Sequence, residues 1–155
     1  MIYLNTPYTS SLFSLSLQPK ETLMYMKMQT HSHIINTHDL PDTVKILQKL
    51  CPRVLKTKCF NDKNLPFREE VERTEIGHMF EHIVLAHLSE MYSAKGITNV
   101  TFNGQTNWNW NVDTRRTFHI YLTPIDMIPS ILQEAIHKAI IVTEFVMKSR
   151  ATVLS

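Results

Sequence analysis

Apolar and polar positions along the chain follow two different periods, and each period predicts a different kind of element. Phe118, Ile120 and Leu122 fall on every second residue, which predicts a strand over 117–122 with one buried face. Between residues 128 and 147 the apolar positions recur three or four residues apart. That spacing predicts a long closing helix with one apolar face.

The same two patterns predict five more elements ahead of that strand. They are strands over 28–36, 54–60 and 98–103, a helix over 40–51 and a longer helix over 68–93. The order β-α-β-α-β-β-α predicts an α+β fold, a single-domain sandwich of a small mixed or antiparallel sheet with helices mainly on one face. The domain is predicted to span 28–150. Residues 1–27 are Ser- and Thr-rich and are interpreted as a disordered extension or as a mis-annotated start.

Composition narrows the function classes. A chain of 155 residues fits one domain, and its net charge of +2 argues against a nucleic-acid or membrane surface built on bulk charge. The 3 glycines argue against a glycine-rich nucleotide loop. The chain has neither a long apolar run nor a basic leader, and its two cysteines fit reduced thiols, so a cytoplasmic location is expected.

The motif that carries chemistry is His78-Met79-Phe80-Glu81-His82, the inverted zincin pattern H-x-x-E-H. On a helix, residues four apart lie about 6 Å apart along the axis and on nearly the same side, so both imidazoles can converge on one Zn²⁺. Glu81 is placed to act as general base on a water molecule. This side of the helix lies opposite its apolar stripe, so it lines a cleft or faces solvent.

A catalytic zinc takes a third protein ligand, and the sequence leaves three carboxylates open for that role. Glu75 lies one turn before His78, whereas Glu134 and Glu144 lie on the closing helix. Each is also typical of an ordinary solvated helix residue. A weaker second pair is His31 and His33, which would share one face of the predicted strand.

The segment Thr74-Glu75-Ile76-Gly77-His78-Met79-Phe80-Glu81-His82-Ile83-Val84-Leu85 resembles the N-terminal domain of cyanophycin synthetases, which carries a G-H-x-x-E-H-x-A-L-type helix. The resemblance continues through the Phe102-x-Gly104-x-Thr106 turn. It implies metal ligation by His78 and His82, with Glu81 as base. It also implies either peptidase activity on a β-Asp-Arg polymer or a polymer-anchoring role. The family tends to have Glu where this chain has Ala86.

A loop rich in Asn and Trp is the second candidate for binding. Trp108 and Trp110 alternate with asparagines, and Arg115 and Arg116 follow. Such a loop can stack on guanidinium groups and hydrogen-bond a peptide backbone, which suits an Arg-bearing polymer. The alternative is a hairpin whose tryptophans cover the edge of the sheet.

These observations predict a zinc-dependent, peptidase-like domain that hydrolyses a peptide or isopeptide, with a cyanophycin-like polymer as the implied substrate. Two alternatives remain. One is a non-catalytic module that binds such a polymer or a separate synthetase, and the other is a structural metal-binding domain.

Overall fold

A computed structural model describes residues 6–57 and 65–154, with side chains up to residue 149, and contains five strands and four α-helices in that part of the chain. The strands are β1 Tyr8–Thr9, β2 Phe13–Pro19, β3 Met24–Thr30, β4 Asn103–Asn107 and β5 Thr117–Thr123. The helices are α1 Thr43–Leu50, α2 Phe67–Glu70, α3 Ile76–Ala94 and α4 Pro129–Leu154. Short 3₁₀ turns at Thr37–Asp39, Pro52–Lys56 and Val71–Arg73 connect the helical elements.

The five strands form one sheet in the order β1-β2-β3-β5-β4, and every neighbouring pair is antiparallel. The chain therefore enters at one edge, crosses the helical layer after β3, and returns to add β4 and β5 at the other edge. In the centre of the sheet Met26 lies opposite Ile120, and Leu15 lies opposite Met28.

One face of the sheet is buried under the helices. Alternate residues of the central strands have almost no exposed surface, among them Leu15, Met26, Met28, Phe118 and Ile120. Most of their neighbours in sequence, among them Ser14, Lys27 and His119, are more exposed. The predicted α+β sandwich with a one-sided helical layer is therefore confirmed, and the sheet is antiparallel.

The N-terminal segment corrects the prediction that residues 1–27 lie outside the domain as a disordered extension. β2 and most of β3 come from this segment, and Phe13 is fully buried. The run Phe-Ser-Leu-Ser-Leu alternates with period two, so its serines turn outward while its apolar residues enter the core. The high Ser and Thr content led to the prediction of disorder, although the apolar residues alternate as in a strand. Residues 1–5 lie outside the described part of the chain.

Several other element boundaries also differ from prediction. The strand expected over 28–36 ends at Thr30, so it begins and ends earlier. A 3₁₀ turn occupies Pro52–Lys56 where a strand was expected over 54–60, and residues 58–60 are not described. The strand expected over 98–103 begins at Asn103, and its predicted apolar residues Val100 and Phe102 lie before it.

Two further features concern the helices and Cys51. Within the described ranges, none of the helices has both the length and the apolar character that crossing a membrane requires. Cys51 is a buried free thiol, and burial raises its pKa to about 11. A thiol of this kind is protonated and unreactive at neutral pH. Cys59 lies outside the described residues.

Replacement of Phe13 by Ala tests the place of the N-terminal strand in the core. The ring is fully buried and packs edge-on against Phe80 of α3, with centroids 6.3 Å apart. Its loss should lower the free energy of unfolding by about 3–5 kcal/mol, measured by urea denaturation. Val112→Ala is the control, since Val112 is 83% exposed and its loss should change stability by less than about 0.5 kcal/mol. Equal stability of the Phe13 variant and wild type would contradict the strand's role.

Candidate metal site

The helix that carries the motif is shorter than predicted, and the break fixes the position of His78. The sequence predicts one helix over 68–93, but the chain leaves helical geometry at Thr74 and Glu75 and re-enters at Ile76. At the break, the Thr37 N–H donates to the Thr74 carbonyl, and the Thr74 N–H donates to the Thr37 hydroxyl oxygen. The Ile76 N–H donates to the carbonyl of Ile35. His78 therefore lies in the first turn of α3.

Three side chains of α3 form a compact group that can hold a metal ion. One ligand atom each from His78, Glu81 and His82 can be chosen so that all lie within 4.8 Å of one another. Glu81 and His82 are buried, and His78 is half-buried. It is the one group of this kind among residues 6–57 and 65–149. The side of the helix that the sequence assigned to a cleft or to solvent is thus the wall of a cleft.

The two imidazoles are arranged as a pair of ligands to one ion. Their Nε2 atoms lie 3.1 Å apart. Two nitrogens bound at about 2.0–2.1 Å to one tetrahedral Zn²⁺ are separated by about 3.3 Å, so small side-chain rotations suffice to admit the ion. The donor set therefore fits a zinc-type ion.

Neighbouring groups orient both rings. Nδ1 of His78 hydrogen-bonds the Thr74 hydroxyl at 2.8 Å, which leaves Nε2 toward the cleft. The ring of His82 stacks on Phe67 with centroids 3.9 Å apart and planes 12° apart. Partners of this kind around a ligating histidine fix the ring orientation and select the tautomer.

Glu81 is held between α3 and the edge of the sheet. The Thr106 hydroxyl of β4 donates to Oε1 of Glu81 at 2.8 Å, while Oε2 lies 3.8 Å from Nε2 of His82. Gly104 lies so close that a Cβ there would approach the Glu81 Cγ and Oε2 to 2.9 Å. The absence of a side chain at this residue lets the carboxylate fit against the strand.

Burial drives all three groups toward their neutral forms. It lowers the pKa of His78, where the charge of Glu70 acts in the opposite direction. It lowers the pKa of His82 to about 3, with His78 adding to the effect. It raises the pKa of Glu81 to about 7, against the Thr106 hydrogen bond, which favours the charged form. Neutral imidazoles are the form that binds metal ions.

The three carboxylates that the sequence offers as a third ligand do not join the two histidines in the structure. None of Glu75, Glu134 and Glu144 belongs to the group within 4.8 Å, where the carboxylate is that of Glu81 itself. Glu134 is exposed and pairs with Lys138 at 3.7 Å. Glu144 hydrogen-bonds the Tyr8 hydroxyl and pairs with Lys148 at 3.7 Å. Both lie on α4 and neither lines the cleft, whereas Glu75 does.

Glu70 is a carboxylate of this site that the sequence analysis missed. It lines the same cleft, and its charge raises the pKa of His78, which places it on the His78 side. In one continuous helix Glu70 would lie about 12 Å from His78 along the axis, too far to share a site. The break at Thr74 brings α2 back beside the start of α3. No local sequence signal marks that return.

The group opens into a cleft of about 760 Å³ between α3 and β4. Among its lining residues are Arg73 and Glu75 at the start of the helix, Leu85 and Ser89 further along it, and Trp108 beyond the strand. Charged side chains of both signs and apolar side chains therefore meet around the three central residues. A cleft of this size can accept several residues of a polymer.

Of the four predicted substrate-binding residues, the structure places only Trp108 in the cleft. The rings of Trp108 and Trp110 both pack edge-on against Phe118 with centroids 5.8 Å apart, as expected for the alternative in which the tryptophans cover the sheet. The Trp110 indole N–H also donates to the carbonyl of Thr117. Arg116 donates to the carbonyls of His31 and Ser32, while Arg115 is exposed. Neither arginine is a lining residue.

The remaining histidines lie away from this group. His31 and His33 are exposed and follow β3 instead of sharing one of its faces, because the strand ends at Thr30. His87 is buried on the apolar side of α3, and its Nε2 has no hydrogen-bond partner among the described residues. His119 hydrogen-bonds Asp113 at 2.6 Å on the open face of the sheet.

Comparison with known proteins finds no matching family model, no matching curated protein and no matching solved structure. None of these comparisons supports the resemblance to the N-terminal domain of cyanophycin synthetases. The segment from Phe102 to Thr106, expected to form a turn, instead enters strand β4 at Asn103. What the structure adds is the group of His78, Glu81 and His82.

The raised pKa of Glu81 predicts that the free energy of unfolding of the metal-free protein depends on pH. The folded chain holds this proton up to about pH 7, whereas an unfolded glutamate releases it near 4.5, so stability falls as the pH rises between these values. Glu81→Gln keeps an acceptor for Thr106 and removes the charge. The variant should match wild type near pH 4.5 and exceed it at pH 8 by on the order of 1–3 kcal/mol.

Urea denaturation with a chelator present measures this difference at the two pH values. The lowered pKa of His82 makes stability rise toward pH 6.5, but it does so in both proteins and cancels in the comparison. A difference that is the same at pH 4.5 and pH 8 would contradict a buried Glu81 carboxyl group with a raised pKa.

Proposed function

We propose that the protein is a metal-dependent hydrolase that cleaves a peptide or isopeptide bond, with Zn²⁺ held by His78 and His82. The observation that carries the proposal is the 3.1 Å separation of the two Nε2 atoms beside a buried carboxylate at the floor of a polymer-sized cleft. Zn²⁺ at such a site polarises the scissile carbonyl and lowers the pKa of a water molecule to about 7.

The side chains have separate tasks in this proposal. Glu81 accepts a proton from the attacking water and returns it to the leaving nitrogen. Thr106 holds the Glu81 carboxylate at 2.8 Å and so positions its second oxygen toward the histidines. Thr74 and Phe67 hold the imidazoles. Glu70 and Glu75 are the carboxylates of the cleft that can complete the ligand set after side-chain rotation.

The substrate class follows from the cleft and from the resemblance. Arg73 and two glutamates flank the centre, which suits a chain that carries both charges. The resemblance to the cyanophycin synthetase N-terminal domain extends this to a β-Asp-Arg polymer and to a separate synthetase as a partner. Trp108 lines the cleft where it can stack on a guanidinium group.

A non-catalytic module that binds a polymer or a partner is the second candidate. One observation weakens the assignment of Glu81 as the base: the carboxylate that groups with the two histidines is Glu81 itself. If Glu81 ligates the ion, it is unavailable as the general base, and His78, Glu81 and His82 form a three-ligand site with one position open.

Glu81→Gln separates these two functions. If Glu81 is the base, the variant should retain about one Zn²⁺ per chain but lose hydrolysis by a factor of at least about 10². Metal content is measured by elemental analysis after gentle purification, and hydrolysis is measured on β-Asp-Arg polymer and on ordinary peptides.

Two further variants serve as controls for this experiment. His78→Ala should lose the metal, whereas His137→Ala, on the exposed side of α4, should change neither metal content nor activity. Loss of metal from Glu81→Gln would assign this carboxylate as a ligand and remove it as the general base. Activity that survives in Glu81→Gln would make the assigned base wrong.

A further inference from the structure

β4 forms one edge of the sheet, and its outer edge is free among the described residues. β5 pairs with it on one side, and no other strand or described backbone group hydrogen-bonds it. Folded proteins guard such edges with charges, proline, bulges or covering segments, because an unpaired edge attracts another strand. The sequence of β4, Asn-Gly-Gln-Thr-Asn, contains neither a charge nor a proline.

This edge, which is unpaired among the described residues, lies beside the metal group. Four of the five β4 residues, Asn103 to Thr106, line the cleft. Thr106 hydrogen-bonds Glu81, and Gly104 lies against the same carboxylate. The backbone donors and acceptors of β4 therefore run past the group of His78, Glu81 and His82.

We infer that β4 binds an extended peptide as an added strand and so lays the peptide backbone across the metal group. This inference rests on the proposed hydrolase function and specifies how its substrate is held. Main-chain hydrogen bonds to a sheet edge supply affinity with little dependence on side chains. The alternation of donors and acceptors along β4 matches a polypeptide backbone, because both chains present N–H and C=O groups with the same repeat.

Binding of a peptide at this edge is also consistent with the side chains of β4. Its side chains at Asn103, Gln105 and Asn107 are exposed and uncharged, so neither peptide polarity is repelled there. The charged residues of the cleft lie on the helical side instead, at Glu70 and Arg73. Backbone recognition is thus assigned to the strand, and side-chain selection to the helical wall.

Peptide hydroxamates test the inference on the intact zinc-loaded protein. Acetohydroxamate binds through its metal-chelating group alone, and acetylated oligo-alanine hydroxamates of one to four residues add a backbone that can pair with β4. Their affinities are measured by calorimetry. We expect affinity to rise with length. We also expect N-methylation to weaken the four-residue probe about three- to tenfold at alternate nitrogens only.

The outcomes distinguish failure of the metal site from failure of strand addition. If acetohydroxamate fails to bind, the metal site itself is wrong, and both the proposed function and this inference are overturned. If acetohydroxamate binds but added residues give no gain, or N-methylation has the same effect at every nitrogen, the metal site stands and strand addition is wrong. A period-two pattern supports strand addition, since alternate N–H groups point to opposite sides of a strand.

Discussion

The close approach of α3 to the sheet is the contact on which the rest of the site depends. A Cβ at Gly77 would lie 2.4 Å from Cγ of Phe118, so only glycine lets the start of the helix rest on β5. At Gly104 the strand in turn leaves room for Glu81. These two contacts set the spacing between helix and strand, and that spacing brings the Thr106 hydroxyl within 2.8 Å of the Glu81 carboxylate.

The same packing explains why a helix in a protein interior carries two histidines and a glutamate in one group. Burial without a partner disfavours the charged form of each side chain, and the shifts in pKa at His82 and Glu81 follow that rule. An ordinary core would use apolar residues here, because they carry no such cost. A divalent cation would reverse the electrostatic balance by favouring the carboxylate and by using the neutral imidazoles.

The sequence could predict the parts of the fold in which one period runs without interruption. β5 and α4 appear close to where their patterns place them, and the motif faces a cleft as the helical wheel allows. The N-terminal strand was missed because its outward serines were interpreted as a sign of disorder. The break at Thr74 was missed because it depends on hydrogen bonds to Thr37, a contact between residues 37 positions apart.

Because of that break, only some residues of the site could be predicted from the sequence. His78, Glu81 and His82 are fixed by spacing within one helix, so the motif was sufficient to group them. Glu70 enters the cleft only through the turn between α2 and α3, and the carboxylates chosen on α4 face other partners. Residues joined by tertiary contacts leave no periodic signal in one sequence.

Anomalous diffraction at the zinc edge, from crystals grown with Zn²⁺, tests the central claim most directly. A metal centre on α3 should give one strong anomalous peak per chain about 2.0–2.1 Å from Nε2 of both His78 and His82. A peak at other residues, or no peak at this pair in crystals that contain zinc elsewhere, would contradict a metal centre on α3.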